Sequence, residues 1–248
     1  MSEAVLYPLL GFGAALLLVL VLFRMRTRRF YFIRHGETVL NAAHIRQGEE
    51  GELSPEGRAQ ADRVGMAFIP VHVKRIITSA YPRAEETATI MNKHLHVPII
   101  VSPLFSERRN PTAIIGQKRD LPHIKAIIDQ IENAYHADNY RYADEENFTD
   151  LKIRARKAIA LLARQGKDHT IVVTHHVFLK MLLAYMLHNE RLHAGDFVKV
   201  SYFNFSDNAT VSVAEYNPWR HFGRSKGWRV IAYNVQPEDL NKKITATE

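Results

Sequence analysis

Ala4 to Phe23 runs for twenty residues without a charge, whereas the rest of the chain alternates short apolar runs with amphipathic stretches. At 1.5 Å per helical residue such a run crosses a hydrocarbon core of ~30 Å, so it predicts one transmembrane helix. Phe30 to Ile33 is aromatic and β-branched, the pattern of a strand buried on both faces. Leu53-Ser54-Pro55-Glu56-Gly57 begins a helix to about Phe68, with Ser54 suited to cap it and Pro55 to its first position. Val73 to Thr78 predicts a second strand, Tyr81-Pro82 opens a helix to about His94, and Val97 to Val101 predicts a third strand. Helices follow near Leu121 to Tyr135 and Phe148 to Arg164, separated by an acidic, tyrosine-rich loop, and Thr170 to Thr174 is a short apolar strand. Phe197 to Phe205, Thr210 to Glu215 and Trp228 to Tyr233 alternate apolar with polar residues and predict strands at the sheet edge. Asn217 to Gly227 reads as a basic, aromatic surface turn between the last two.

This alternation predicts an α/β fold in three layers, a mostly parallel central sheet flanked by helices and preceded by one transmembrane helix. Residues 1–29 form the anchor and its basic flank, 30–236 a single domain, and 237–248 a polar tail. The chain is long enough for one sizeable core.

Charge changes the picture at the anchor. Of the formal net charge of +7, +3 lies in the first 29 residues, where Arg24, Arg26, Arg28 and Arg29 outweigh Glu3. Basic flanks mark the cytoplasmic side of a span. The domain is therefore expected in the cytoplasm, close to the bilayer, with the four arginines available to anionic head groups. A cleaved signal peptide fits less well, because Ser2 and Glu3 precede the apolar run and the arginines follow it. If the first strand leaves the membrane directly, its carboxyl end faces the cytosol. No nucleic-acid motif accompanies the remaining charge. The chain has no cysteine, which excludes disulfides, thiolate metal sites and cysteine nucleophiles.

Candidate chemistry begins where the first strand stops, at Arg34-His35-Gly36. Ligands in open α/β sheets gather at the carboxyl ends of strands. Arginine offers a planar fork of donors to phosphate oxygens, and histidine serves as nucleophile or acid/base near neutral pH. Gly36 would let the backbone turn sharply and approach a ligand.

Arg34-His35-Gly36-Glu37-Thr38 resembles the signature of the histidine phosphatase superfamily, which includes phosphoglycerate mutases and many phosphomonoesterases. Ser79-Ala80-Tyr81-Pro82-Arg83-Ala84-Glu85-Glu86-Thr87-Ala88 resembles a second element of that family, and Ile171-Val172-Val173-Thr174-His175 a third, in the expected order over residues 30–234. The resemblance implies a phosphoglycerate mutase-like fold and a metal-independent phosphomonoester hydrolase without cofactor. His35 would be the nucleophile that becomes phosphohistidine, Arg34 and Arg83 the phosphate clamps, and His175 a stabiliser of charge on the phosphoryl oxygens. Glu107, in the loop after the third strand, would be the acid for the leaving oxygen, provided desolvation or the bound phosphate raises its pKa. Thr38, Asn41, Gln47 and Gly48 match positions that bind substrate or line its pocket.

Three departures stand out. His176 replaces the glycine that commonly follows the second catalytic histidine, and its bulk would narrow the pocket. Ile45 stands where many relatives carry arginine, and Arg46, one place off, is given no role. Arg108, Arg109 and Lys118 could read the rest of an anionic substrate, although a solvated face is the plainer expectation. The substrate is a phosphorylated small molecule or phosphoprotein. The alternatives are a mutase, which the separation of 68 positions from Glu107 to His175 disfavours as short for an enclosing insertion, and a catalytically silent, membrane-tethered adaptor for phosphoproteins.

Overall fold

A computed structural model of the chain describes residues 26–133, 137–203, 206–220, 225–240 and 242. Six strands form one sheet: β1 (Arg28–Arg34), β2 (Arg75–Thr78), β3 (Ile99–Val101), β4 (Thr170–Thr174), β5 (Val211–Tyr216) and β6 (Trp228–Val235). Their spatial order is β3-β2-β4-β1-β5-β6. β1 pairs parallel with β4, and β2 parallel with both β4 and β3. The β1–β5 and β5–β6 pairs are antiparallel, so the sheet is mixed, with three of its five strand pairs parallel.

Phe30, Tyr31, Phe32 and Ile33 are all fully buried because the period of two sends them into two different cores. Phe30 and Phe32 pack with Val172 against α5 (Phe148–Gln165), α6 (His176–His188) and α7 (Ala194–Phe203). Tyr31 and Ile33 pack with Ile171 and Val173 against α2 (Pro55–Ala67) and α3 (Pro82–Leu95). The remaining helices are the short α1 (Val39–Ala42) and α4 (Pro122–Asn133). Local signals set several boundaries: Ser54 accepts from Gly57 N–H at 3.0 Å at the start of α2, and Asn147 and Asp150 form a reciprocal capping box on α5.

Several sequence expectations are corrected. The predicted strand over Phe197 to Phe205 is helix α7 as far as Phe203. Phe197 and Val200, three residues apart, both pack on the core, and the Phe197 ring lies 6.0 Å from that of Phe148, so helical spacing overrides the alternation. Helix α6 left no periodic signal to read. Phe178 to Met186 are all buried between α5, α7 and the sheet, so no polar stripe marks its period.

β1 begins at Arg28, two residues earlier than predicted, and this changes the basic flank. Arg28 donates to the Gly166 and Ala163 carbonyls at 2.7 and 2.6 Å, satisfying the carboxyl end of α5, while Arg29 pairs with Glu215 at 2.9 Å. Two of the four arginines expected at the membrane are thus tied to the domain. The predicted span lies outside the described residues, among which no helix is long and apolar enough to cross a membrane.

Candidate active site

The parallel pairing brings three strand ends together. Arg34 sits opposite Thr174 and Thr78 opposite Val173, so the residues that follow, His35, Ser79 and His175, emerge at one edge of the sheet. Main-chain bonds continue past the strands: His35 N–H donates to Thr174 O at 3.0 Å and Ser79 N–H to Val173 O at 3.1 Å. Asn208 Nδ2 fixes the His35 carbonyl at 2.9 Å.

Gly36 serves packing rather than ligand approach. A Cβ on Gly36 would stand 2.4 Å from the Gly57 carbonyl oxygen, and one on Gly57 would stand 1.9 Å from that of Glu37. The turn after β1 therefore rests backbone to backbone on the start of α2, while Gly36 N–H donates to Thr87 Oγ1 at 3.1 Å.

These ends open on a cavity of about 290 Å³ lined by Arg34, His35, Asn41, Arg46, Gln47, Arg83, Glu107, Arg108, Asn110, Arg119, His176 and Val177. His35 is 4% exposed, and its Nδ1–H donates to the Gly36 carbonyl at 2.7 Å, which leaves the Nε2 lone pair as its reactive nitrogen. Burial first, then the Arg83 and Arg34 guanidiniums, hold its pKa well below the ordinary imidazole value, so the ring is neutral. The His175 ring lies 5.0 Å from that of His35 and is fully buried, with Nε2 2.7 Å from Ser79 Oγ and Nδ1 unpartnered. Burial and Arg83 also push His175 well down.

Arg34 donates to the Ser206 carbonyl, and burial lowers its pKa to about 10. Arg83, 2% exposed near the start of α3, donates through Nη1 to the carbonyls of Gly48, Glu49 and Glu50 at 3.0–3.1 Å. The Nε atoms of both are buried without a partner.

The Glu107 carboxylate sits at the start of α6. Its Oε1 accepts from Arg108 N–H at 2.8 Å and Phe178 N–H at 3.0 Å, and Oε2 from Val177 N–H at 3.2 Å. Burial pushes the carboxyl up, but the Arg108 N–H, the Val177 N–H and the Arg83 guanidinium together hold it below its usual value. Among these partners it is a carboxylate, and desolvation alone does not make it an acid. His176 directs Nδ1–H to Ser206 O at 3.2 Å, the carbonyl that also receives Arg34, and burial followed by Arg34 keeps its ring neutral.

Three predicted substrate residues lie behind the cavity wall. Thr38 is fully buried, and its Oγ1 accepts from the backbone N–H of Asn41 at 3.0 Å and from Gln47 Nε2 at 2.7 Å, so it caps α1 and positions the Gln47 side chain. Gly48 supplies a carbonyl to Arg83, and His175 stands beneath His35. Arg109 turns away to the Asp144 carbonyl at 3.0 Å, whereas Arg108 faces the cavity. Sequence reasoning passed over Asn110 and Arg119 and left Arg46 without a role. The signal that unites them is long-range: Ile45 bridges Lys118, with Arg46 N–H on Gln117 O and Arg119 N–H on His44 O, both at 2.9 Å. Among the described residues, no cluster of three or more His, Cys, Asp or Glu could hold a metal ion.

The histidine phosphatase superfamily (branch 1) model matches residues 30–229. The probable phosphoglycerate mutase GpmB of Erwinia tasmaniensis is 26% identical over 166 residues, covering 63% of this chain and 74% of its own. A probable phosphatase of Schizosaccharomyces pombe is 28% identical over 152 residues, covering 60% and 68%. Among solved structures, a mycobacterial glucosyl-3-phosphoglycerate phosphatase superposes with a TM-score of 0.68 at 23% identity, over 85% of this chain and 100% of its own. At that identity the likeness speaks for the fold.

Proposed function

We propose that this chain, which belongs to the histidine phosphatase superfamily, is a phosphomonoester hydrolase working through a phosphohistidine on His35. The observation that carries the reading is the state of His35: neutral, with Nδ1–H held by the Gly36 carbonyl, in a cavity whose other walls carry arginines. Arg34 and Arg83 hold the phosphoryl oxygens, each with a buried Nε still unpartnered. His35 Nε2 attacks phosphorus in line, forming the N–P bond as the bond to the leaving oxygen breaks. That oxygen takes a proton from Glu107, whose carboxyl rises once the phosphoryl dianion offsets the field of Arg83 and burial dominates. Water then attacks phosphorus, the N–P bond breaks, and the water proton returns to Glu107. His175, whose ring packs 5.0 Å from that of His35 with Nδ1 unpartnered, is the second histidine assigned to the transferring group, which it reaches only once substrate opens the wall beside His35.

The test is direct. Wild type releases phosphate from an aryl phosphate in EDTA and carries an acid-labile phosphoryl group, and His35→Ala loses both, with kcat/KM down more than ~10³-fold. Retained turnover in His35→Ala would refute the nucleophile. Similarity to a probable phosphoglycerate mutase favours one rival, return of the phosphoryl group to another hydroxyl; phosphate release in water against transfer to an added alcohol separates the two.

The tether is part of the same reading, supported by the uncharged run from Ala4 to Phe23 followed by arginines. Full-length protein should stay in the membrane fraction through alkaline carbonate washing, and protein from residue 26 should not. Release of the full chain would sink the tether.

A further inference from the structure

Five arginines line the cavity against one carboxylate. A phosphoryl dianion seated on Arg34 and Arg83 offsets only part of that charge. The remaining three, Arg46, Arg108 and Arg119, stand away from the strand ends on two loops that are stitched together. Gly116 N–H donates to Arg46 O at 2.9 Å, in addition to the bonds from Arg46 N–H and Arg119 N–H across the Ile45–Lys118 bridge. That pairing sets Arg46 and Arg119 beside each other, and burial first, then the Arg108 and Arg119 guanidiniums, bring Arg46 down to about 10 against the pull of Glu132.

Arg108 is 6% exposed and the Arg46 side chain 13% exposed, yet the Nε of each is buried without a partner. Buried, unpaired guanidinium donors cost free energy unless a ligand supplies acceptors. One internal anion does approach. Glu132, near the end of α4, places Oε1 3.5 Å from Arg46 Nη2 and acts attractively on Arg119 and Lys180 as well, while its own side chain is 50% exposed. A long, half-solvated contact of this kind is readily exchanged for another anion.

We propose that Arg46, Arg108 and Arg119 form a second anion subsite with Glu132 as its resident counter-ion, and that the substrate is a small phosphomonoester carrying a second anionic group that displaces Glu132. This rests on the reading of His35 as the phosphoryl acceptor, which fixes the substrate's other end. The shared chemistry is a second carboxylate or a second phosphoryl group.

The experiment measures binding, so that it does not depend on turnover. Glycerol 3-phosphate, 3-phosphoglycerate and glycerol 1,3-bisphosphate are titrated calorimetrically into full-length His35→Ala, or His35→Asn should the alanine variant melt early. At least one of the two doubly anionic compounds should bind tenfold or more tightly than glycerol 3-phosphate, and which one does identifies the second group. Adding Arg119→Gln or Arg46→Gln should cut that preference about tenfold, Glu132→Gln should widen it severalfold, and Lys118→Gln, which removes an equal charge from the same loop outside the cavity, should leave it within twofold. Equal binding of all three compounds overturns the proposal. So does an equal loss of preference in Lys118→Gln, which would mean a diffuse field rather than a subsite. If the preference is present but wild type hydrolyses no phosphomonoester, the catalytic reading fails and the subsite stands.

Discussion

The two halves of the cavity are built on different principles. The phosphoryl half rises from the ends of β1, β2 and β4, with His35 and His175 buried, main-chain bonds continuing past each strand, and glycine packed on backbone at Gly36 and Gly57. The distal half is two loops joined by three main-chain hydrogen bonds around the Ile45–Lys118 bridge, carrying arginines whose internal counter-ion is a half-exposed glutamate. The first half is rigid where chemistry needs reacting atoms held in place. In the second, differences in loop sequence can change which substrate fits without disturbing the sheet.

The contrast can be broken most severely at Arg83, which both faces the phosphoryl position and pins the 48–50 carbonyls. Arg83→Gln should lower kcat/KM for an aryl phosphate by about 10²–10³-fold, the scale for losing a preorganised charge stabiliser; a loss below tenfold would remove Arg83 from the clamp. A stability comparison sharpens the same point. Gly57→Ala forces a Cβ against the Glu37 carbonyl and should cost ~1–3 kcal/mol in urea denaturation. Gly48→Ala meets only the flexible Ile115 side chain at 3.2 Å and should cost less than ~1 kcal/mol. Equal costs would mean that the two halves are equally rigid.

The smallest effect is in pH. His35 and His175 have folded pKa values well below the ordinary value of ~6.5, so below that pH the unfolded chain binds protons that the folded chain refuses. Stability should therefore fall as pH drops through 6.5, by about 1 kcal/mol per histidine at pH 5.5. His175→Asn should flatten the thermal-melting profile between pH 7.5 and 5.5. An unchanged slope would mean that His175 does not stay neutral.

The phosphoryl half was legible because its residues close apolar strands in short contiguous motifs: Arg34 at the end of β1 and His35 just after it, Arg83 at the start of α3, His175 after β4. The distal half was not. Arg119 lies 73 positions beyond Arg46, and no local period connects them before the Ile45–Lys118 bridge forms. Helix α6 escaped notice for the opposite reason, since complete burial erased the polar face that would have revealed its period. Within the legible half, residue type named Thr38 and Gly48 as pocket residues, but packing placed both behind the wall.

By itself the sequence determined the strand-ending motifs and their order, the cap of α2, and the family to which the chain belongs, because these depend on neighbours a few residues apart. It also determined the uncharged segment from Ala4 to Phe23. Only the tertiary structure decided that Glu107 is ionised at the start of α6, that His35 is neutral with Nε2 free, that Arg28 and Arg29 belong to the domain, and that Arg46, Arg108 and Arg119 share a wall. Each of these depends on burial and on charges brought together from distant parts of the chain, and electrostatic energies follow distance in space, not separation in sequence.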